Sequence, residues 1–363
     1  MTPDTASAIL EVDLGAIAAN WLALRARHPS GATAAVVKAD GYGLGAAPVA
    51  KTLYAAGCRH FFVALLDEAL AIRALIPDAM AAVLGGPIPG TEPEYIANEI
   101  LPVLGSLADI GAWAAAARRA GRPLAAMLHV DTGMSRLGLD AREAAILAND
   151  HTRLDGIALR YVMSHLVASE EPGDPLNPVQ KARFDAIRAT LPPARFSLAN
   201  SSGIFLGPDF GSDLARPGAA IYGINPTPGQ PNPMRGVVRL MVRVLAVRDI
   251  PAGESAGYNA TWRAARPSRI ATAAIGYADG WHRALSNRGA AFFDGNRVPL
   301  VGRVSMDLTT FDVTDCPGVM PGSWLELLGP HQNPDAVARQ AGTNGYEVLT
   351  LLGRRFHRVY RPA

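Results

Sequence analysis

The chain has 363 residues, of which 49% are hydrophobic and 18% charged, and its formal net charge is +2. This composition excludes a disordered or fibrous protein, and the length suits about two domains with buried cores. The charge is not gathered into a basic tract, so nothing indicates nucleic-acid binding. Cys58 and Cys316 have no metal-ligand or redox spacing, so neither a metal site nor a disulfide framework is expected.

The N-terminus and the hydropathy pattern predict a cytoplasmic protein. The first segment carries Asp4 and Glu11 and has no basic start before an apolar core, unlike a signal peptide. No uncharged apolar stretch is long enough to span a bilayer, so no membrane partner is expected.

Up to about residue 230, short apolar runs alternate with alanine-rich amphipathic segments, a pattern typical of βα units. Eight such runs can be counted, and eight βα units predict a closed (β/α)8 TIM-like barrel. The predicted strands are 32–37, 61–64, 81–84, 101–104, 125–130, 156–163, 195–198 and 213–215. The predicted helices include 68–76, 107–120 and 179–191.

Composition changes at residues 225–233, where four prolines and a glycine predict an interdomain linker. Residues 238–248 then alternate as a long β-strand would, and the runs 290–293 and 298–301 flank a turn signal. The sequence therefore predicts a barrel domain over residues 1–230 and a mainly β C-terminal domain over residues 231–363.

Lys38 is the most informative residue, because it ends an apolar run and is followed at once by three glycines, Gly41, Gly43 and Gly45. Burial lowers the pKa of a lysine, so that its amine can act as a nucleophile. Glycines let the backbone approach an anion closely. The pattern suggests a lysine that forms a Schiff base with a phosphate-bearing cofactor; the alternative is a strand-end lysine that caps a turn.

Other polar residues also follow predicted barrel strands, where such barrels carry their chemistry. They are Asp131 and Arg136 after the fifth strand, His165 after the sixth, Asn200 and Ser201 after the seventh, and Arg216 after the eighth.

The segment from Val37 to Gly45 resembles the cofactor-lysine motif of bacterial alanine racemases, which are pyridoxal phosphate (PLP) enzymes built from a barrel and a β domain. Further family-like segments follow in the family's order as far as Tyr346. The resemblance implies PLP as the cofactor, alanine as the substrate and D-alanine for peptidoglycan as the product. It also implies a homodimer with composite active sites.

The resemblance assigns a role to each candidate residue. The catalytic group contains Lys38 and Tyr258 of the partner subunit as the two proton-transfer residues, His165 beside that tyrosine, and Arg216 facing the pyridine nitrogen. The cofactor-binding group contains Lys38, Arg216 and the phosphate-binding residues Tyr42, Ser201, Gly218, Ala219 and Tyr346. The substrate-binding and entrance group contains Arg136, Met306, Asp307 and Tyr277.

The sequence leaves two alternative functions open, and it departs from the family pattern at one position. A broad-specificity or serine racemase differs only in the room around the substrate side chain, and a non-catalytic PLP carrier would have no use for a second domain. Some family members have a lysine, which becomes carbamylated, two residues before Asp131; this chain has His129 there. Either another anion positions Arg136, or this arginine is held less firmly.

Overall fold

The computed structural model describes residues 5–362. The chain divides into two compact units. The barrel unit comprises Ile17–Gly41 and Gly45–Met234, and the β unit comprises residues 5–16, 42–44 and 235–362 of the described chain. The first strand, β1 (Ala8–Asp13), belongs to the β unit.

Short strands and helices alternate between β1 and the proline-rich segment. They are α1 (Leu14–Arg27), β2 (Ala32–Thr33), β3 (Ala35–Val36), α2 (Ala46–Ala55), β4 (His60–Val63), α3 (Leu66–Arg73), β5 (Met80–Val83), α4 (Glu92–Ala97), β6 (Ile100–Leu104), α5 (Leu107–Ala120), β7 (Leu124–His129), α6 (Ala141–Asn149), β8 (Ile157–Met163), α7 (Leu176–Ala189), β9 (Arg195–Ser197) and β10 (Leu214–Ala215).

The strands of the barrel unit follow one another around a ring. β3 to β9 pair in parallel and in sequence order, and β2 pairs in parallel with β10. β2 and β3 together are the predicted strand 32–37. The amide of Arg216 donates to the carbonyl of Ala199 at 2.8 Å, which places the segments after β9 and β10 side by side. All eight predicted strands are therefore present.

Polar side chains at the helix ends explain where two of these helices begin. Ser106 Oγ accepts from the amide of Asp109 at 3.1 Å at the start of α5, and Asp140 accepts from the amide of Glu143 at 2.8 Å at the start of α6. Gly121, with φ of 65°, ends α5 in the left-handed conformation. α5 has the predicted bounds, whereas α3 and α7 begin and end two or three residues before their predicted bounds.

The β unit is organised around one long strand. Its elements beyond the linker are β11 (Val238–Ile250), β12 (Ser255–Ala256), β13 (Trp262–Arg263), β14 (Ser268–Ala273), β15 (Ala290–Phe293), β16 (Asn296–Pro299), β17 (Thr309–Asp312), β18 (Trp324–Leu328), α8 (Pro334–Ala341), α9 (Gly345–Thr350) and β19 (His357–Arg361). β11 pairs antiparallel with β1, β14 and β18, and β1 pairs in parallel with β19.

The predicted turn between two β runs is a hairpin. Asp294 and Gly295 form its two-residue loop with φ of 47° and 81°, which suits the twist of the strands. The second strand of the hairpin begins at Asn296, earlier than the predicted Val298. With these elements the predicted fold class, a TIM-like barrel followed by a mainly β domain, is confirmed.

Across residues 5–362, every helix is either too short or too polar to span a lipid bilayer. No group of three or more His, Cys, Asp and Glu side chains among these residues could hold a metal ion. The division at residue 230 stays a prediction, and the pairing of β1 with β11 and β19 was not foreseen from the sequence.

We predict that Gly43 tolerates no side chain. Its φ is 80°, and an added Cβ would lie 2.3 Å from the carbonyl oxygen of Leu349. Gly253 is a matched control, because its φ is 89° and nothing lies within 4 Å of an added Cβ. Gly253→Ala should lower the free energy of unfolding by about 1–2 kcal/mol, and Gly43→Ala by about 3 kcal/mol or more. Urea denaturation measures both, and equal losses would contradict the steric explanation.

Candidate active site

The backbone after Lys38 turns in the left-handed sense. The φ angles are 52° at Ala39, 53° at Asp40, 63° at Gly41 and 54° at Tyr42. Each non-glycine residue in this conformation costs about 1–2 kcal/mol. The turn therefore needs contacts with the surrounding structure to persist.

Glu68, in the first turn of α3, supplies such contacts. Its Oε1 accepts from the amide of Ala39 at 2.6 Å, and its Oε2 accepts from the amide of Ala64 at 2.8 Å. Asp40 Oδ1 also accepts from the amide of Ala46 at 2.8 Å, at the start of α2. Glu68 was not among the residues predicted from the sequence, because an acidic residue at a helix N-terminus is explained by the helix alone.

The surroundings of Lys38 lower the pKa of its amine. Burial lowers the pKa of Lys38, the charge of Arg136 lowers it further, and Glu68 opposes them. Within residues 5–362 no carboxylate forms an ion pair with this amine. A lysine in this environment suits nucleophilic and proton-transfer chemistry.

Arg216, directly after β10, is enclosed by neutral acceptors. Its side chain is only 4% exposed. Nη2 donates to the carbonyl of Ser164 at 2.6 Å, and Nη1 donates to Ser197 Oγ. Burial lowers the pKa of Arg216 to about 10, so the guanidinium is still charged at neutral pH.

Two histidines near Arg216 are held neutral. Burial is the main cause that lowers the pKa of His165 to about 3 and of His129 to about 4, and the charges of Arg216 and Arg136 act in the same direction. Lys38 and His129 also lower the pKa of His165. The structure thus brings together Lys38, His165, Arg136 and Arg216, as the strand-end positions predicted.

Arg136 lies in a loop that is shaped by one carboxylate. The oxygens of Asp131 accept from the amides of Gly133, Met134 and Ser135 at 2.9, 2.8 and 2.9 Å. Arg136 itself is exposed and makes no ion pair or hydrogen bond with another residue of the described chain. Its guanidinium is therefore available to a carboxylate from outside, and no neighbouring anion fixes it.

Ser201 and the segment after Arg216 form the predicted phosphate-binding part. Ser201 Oγ accepts from the amides of Gly218 and Ala220 at 3.0 and 3.2 Å, instead of capping the 3-10 helix Ser202–Phe205 that follows it. The amide of Gly218 is thus already used. The serine hydroxyl proton and the amide of Ala219, at the start of the next 3-10 helix, are the donors left for an anion.

Three predicted residues of the β unit, Tyr258, Tyr277 and Met306, are exposed. Tyr258 is 70% exposed, on a short turn where Asn259 has φ of 60°. The loops of Tyr277 and Met306 are joined, because the amide of Tyr277 donates to the carbonyl of Ser305 at 3.0 Å.

Arg355 links the loops that contain Tyr277 and Met306. It was not among the residues predicted from the sequence. Its Nε donates to Asp279 Oδ1 at 2.6 Å, and its Nη1 donates to Asp307 Oδ1 at 2.7 Å. Asp279 Oδ2 in turn accepts from the amide of Gly276 at 3.0 Å. These contacts with Asp279 and Asp307 raise the pKa of Arg355. The residue would pass as a surface arginine without knowledge of its partners.

Tyr42 and Tyr346 lie near one another in the β unit. Burial raises the pKa of Tyr42, and Tyr346 raises it further. The Tyr42 phenol therefore keeps its proton at neutral pH, and is suited to donate a hydrogen bond.

Fold and site together define a class of barrel protein in which a lysine amine lies among arginines and neutral histidines at the carboxyl ends of the strands. Sequence models of the alanine racemase N-terminal and C-terminal domains match residues 12–226 and 237–360. An alanine racemase of Acidiphilium cryptum is 58% identical over 97% of this chain and 98% of its own length. A catabolic alanine racemase of Mesorhizobium japonicum is 51% identical over 98% of this chain and 93% of its own length.

A solved structure agrees with these sequence relatives. The alanine racemase of Bartonella henselae, described with covalently bound pyridoxal phosphate, has a TM-score of 0.95 and 42% identity, and the match covers 98% of this chain and all of that one. The chain belongs to the alanine racemase family.

We predict that His129 makes the protein less stable in acid. Its pKa is about 4 in the folded state and 6.5 ordinarily, so below pH 6.5 the unfolded chain binds a proton that the folded chain does not. Stability should fall as the pH falls from 6.5 to 4, by up to about 3 kcal/mol from this residue. His129→Gln should remove that part of the loss in urea denaturation. An identical pH dependence in both proteins would contradict the neutral, buried imidazole.

Proposed function

We propose that this protein is a PLP-dependent alanine racemase, which interconverts L-alanine and D-alanine. One observation carries the proposal: Lys38, with a lowered pKa, lies among Arg136, His165 and Arg216 at the carboxyl ends of barrel strands. Membership of the alanine racemase family and the cofactor of the Bartonella henselae structure support the same reaction.

The side chains of the site suit PLP. Lys38 offers an amine that can be deprotonated for the covalent bond, and the Ser201 hydroxyl with the amide of Ala219 offers donors to a phosphate. Tyr42 and Tyr346 would add phenol donors. When bound, PLP stabilises the negative charge that develops on the α-carbon of the amino acid as a proton leaves.

Arg216 would face the pyridine nitrogen and decide the type of reaction. A buried guanidinium with a pKa of about 10 keeps its proton, so it donates a hydrogen bond without protonating the ring. A ring that stays unprotonated is a weaker electron sink, which favours racemisation over transamination. Ser164 and Ser197 hold the guanidinium in place for this role.

Racemisation requires a proton-transfer group on each face of the α-carbon. In our proposal Lys38 Nζ serves one face and the hydroxyl of Tyr258 of the partner subunit serves the other. The phenol of a free tyrosine is a poor base at neutral pH, so this role calls for a neighbour that exchanges a hydrogen bond with the hydroxyl. His165 is suited to that task because its imidazole is neutral and lies near Arg216.

Arg136 would bind the carboxylate of the substrate. Its exposed guanidinium has no protein anion to compete for it within residues 5–362, and arginine suits two-point carboxylate binding. Met306, Asp307 and Tyr277 would line the way to the site, on loops that Arg355 ties together. A racemase of serine or of broad specificity would differ in the room near these residues.

A homodimer would complete the site. Each unit exposes large apolar side chains that such an interface would bury. In the barrel unit these are Leu65, Ile88, Leu137 and Val167, each in a loop that follows the carboxyl end of a barrel strand; in the β unit they are Tyr258, Tyr277, Met306 and Leu308. Burial of such side chains at an interface is favourable. In a two-fold dimer each contact occurs twice, so two composite sites form.

We propose that the D-alanine product serves peptidoglycan synthesis in the cytoplasm. Relatives named catabolic make net consumption of D-alanine the second candidate role. A strain that lacks the gene should need added D-alanine for growth if the role is biosynthetic. It should grow without added D-alanine if the role is catabolic.

The proposal predicts that the purified protein racemises L-alanine and that Lys38→Ala abolishes the reaction. Borohydride reduction of the loaded protein, followed by peptide mapping, should place the cofactor on Lys38. The other two lysines, Lys51 and Lys181, are internal controls. A chiral assay with L-alanine, L-serine and other L-amino acids measures substrate choice. A label on Lys51 or Lys181, or an inactive wild-type protein, would contradict the proposal.

The shared site predicts that two inactive variants restore each other. In a heterodimer of Lys38→Ala and Tyr258→Ala chains, one site contains both intact residues and the other contains neither. Random re-association makes about half of the dimers heterodimers, so the mixture should reach roughly a quarter of wild-type activity.

The control mixture combines Lys38→Ala with His165→Ala chains. Both residues lie in the barrel unit, so every site of that heterodimer lacks one of them. This mixture should stay at the level of its single variants. If verified subunit exchange between Lys38→Ala and Tyr258→Ala chains restored no activity, the shared-site proposal would be wrong.

A further inference from the structure

Helix α7 carries a fully buried glutamine that the proposed mechanism does not use. Gln180 is 0% exposed, and both the nitrogen and the oxygen of its side-chain amide form hydrogen bonds, as buried polar groups require. Nε2 donates to Thr132 Oγ1 at 3.1 Å and to the carbonyl of His165 at 3.0 Å. Oε1 accepts from the amide of Val167 at 2.8 Å. One side chain thus binds two segments that are far apart in sequence.

Those two segments carry proposed active-site residues. The first follows β7 and continues from Thr132 to Arg136, and the second follows β8 and contains His165. α7 makes a second contact with the first segment, because Arg183 Nη1 donates to the carbonyl of Thr132 at 3.1 Å. A Cβ added to Gly133 would lie 3.1 Å from the same Arg183 nitrogen, so the loop lies directly against the helix.

The hydrogen bonds of Gln180 continue to Ser164 and Arg216. Thr132 Oγ1 accepts from the Gln180 amide and shares a second hydrogen bond with Ser164 Oγ, which lies 2.7 Å away. The backbone carbonyl of Ser164 in turn accepts from Arg216 Nη2. A network of buried polar groups therefore leads from α7 to the guanidinium of Arg216. Networks of this kind fix a single arrangement when every member is satisfied.

We propose that Gln180 is a positioning residue that holds the Arg136 loop and the His165 segment in their active arrangement. The inference rests on the proposed racemase function and deepens it. Arg136 is exposed and pairs with no anion in the described part of the chain, so its placement depends on the backbone of its loop, which Gln180 and Arg183 attach to α7. Loss of the amide should thus weaken substrate binding more than it slows turnover.

The chain contains a matched control for this residue. Gln332, in the β unit, is 4% exposed, donates to the carbonyls of Ala290 and Leu327 at 3.1 and 2.9 Å, and accepts from Gln340 Nε2 at 2.9 Å. Gln180→Met and Gln332→Met therefore remove equivalent sets of hydrogen bonds. Both should lower the midpoint of thermal unfolding.

Of the two glutamine variants, only Gln180→Met should change the enzyme kinetics. We expect its KM for L-alanine to rise about tenfold, the effect of about 1.4 kcal/mol, with a smaller change in kcat. Gln332→Met should keep both constants within twofold. Thr132→Val should raise KM in the same direction as Gln180→Met, and Thr132→Ser, which keeps the hydroxyl, should restore wild-type values.

Hydrogen–deuterium exchange gives a readout that does not depend on activity. Amides of residues 131–139 and 164–167 should exchange faster in Gln180→Met than in the wild type, and should be unchanged in Gln332→Met. Unchanged exchange there, or an unchanged KM in an active protein, would overturn the inference. An inactive wild-type protein whose Gln180→Met variant still shows faster exchange would instead reject the proposed function and keep the positioning role.

Discussion

The electrostatic character of the site depends on a positive charge that the barrel encloses without a carboxylate partner in the described chain. Removing a guanidinium from water is costly, and Arg216 recovers only part of that cost through Ser164 and Ser197. Its charge then acts on its neighbours, and with burial it keeps His165 and His129 neutral. Both imidazoles are therefore uncharged at neutral pH. A carboxylate beside Arg216 would cancel this field and change the protonation of the whole site.

A second constraint is the left-handed turn that follows Lys38. Strained backbone persists only where surrounding contacts determine it, and such strain is common at functional sites. Glu68 accepts from the amide of Ala39 in the turn and from the amide of Ala64, directly after β4. It thereby attaches the turn to the neighbouring strand. The same carboxylate acts on the pKa of Lys38, opposing burial and Arg136. Backbone geometry and amine chemistry are thus coupled through one residue.

Periodic patterns in the sequence predicted the strands, and strand ends predicted where the polar residues meet, because both depend on local geometry. Patterns could not predict partners that are distant in sequence. Gln180 binds Thr132, 48 residues away, and Arg355 binds Asp279, 76 residues away. Each has an ordinary local interpretation, as a polar helix residue or a surface arginine. Likewise, apolar and polar residues alternate in β1 as they do in a strand, but this alternation does not predict that β11 and β19 are its neighbours.

The position of β1 also has a consequence for synthesis on the ribosome. β1 emerges well before its partner β11, which begins at Val238, more than two hundred residues later. At about 5–20 residues per second this delay lasts roughly 10–45 s. During that interval the apolar face formed by Ala8, Leu10 and Val12 has no sheet to cover it. The nascent chain therefore carries an unpaired strand with an apolar face throughout translation of the barrel, and strands of this kind are prone to pair with other chains.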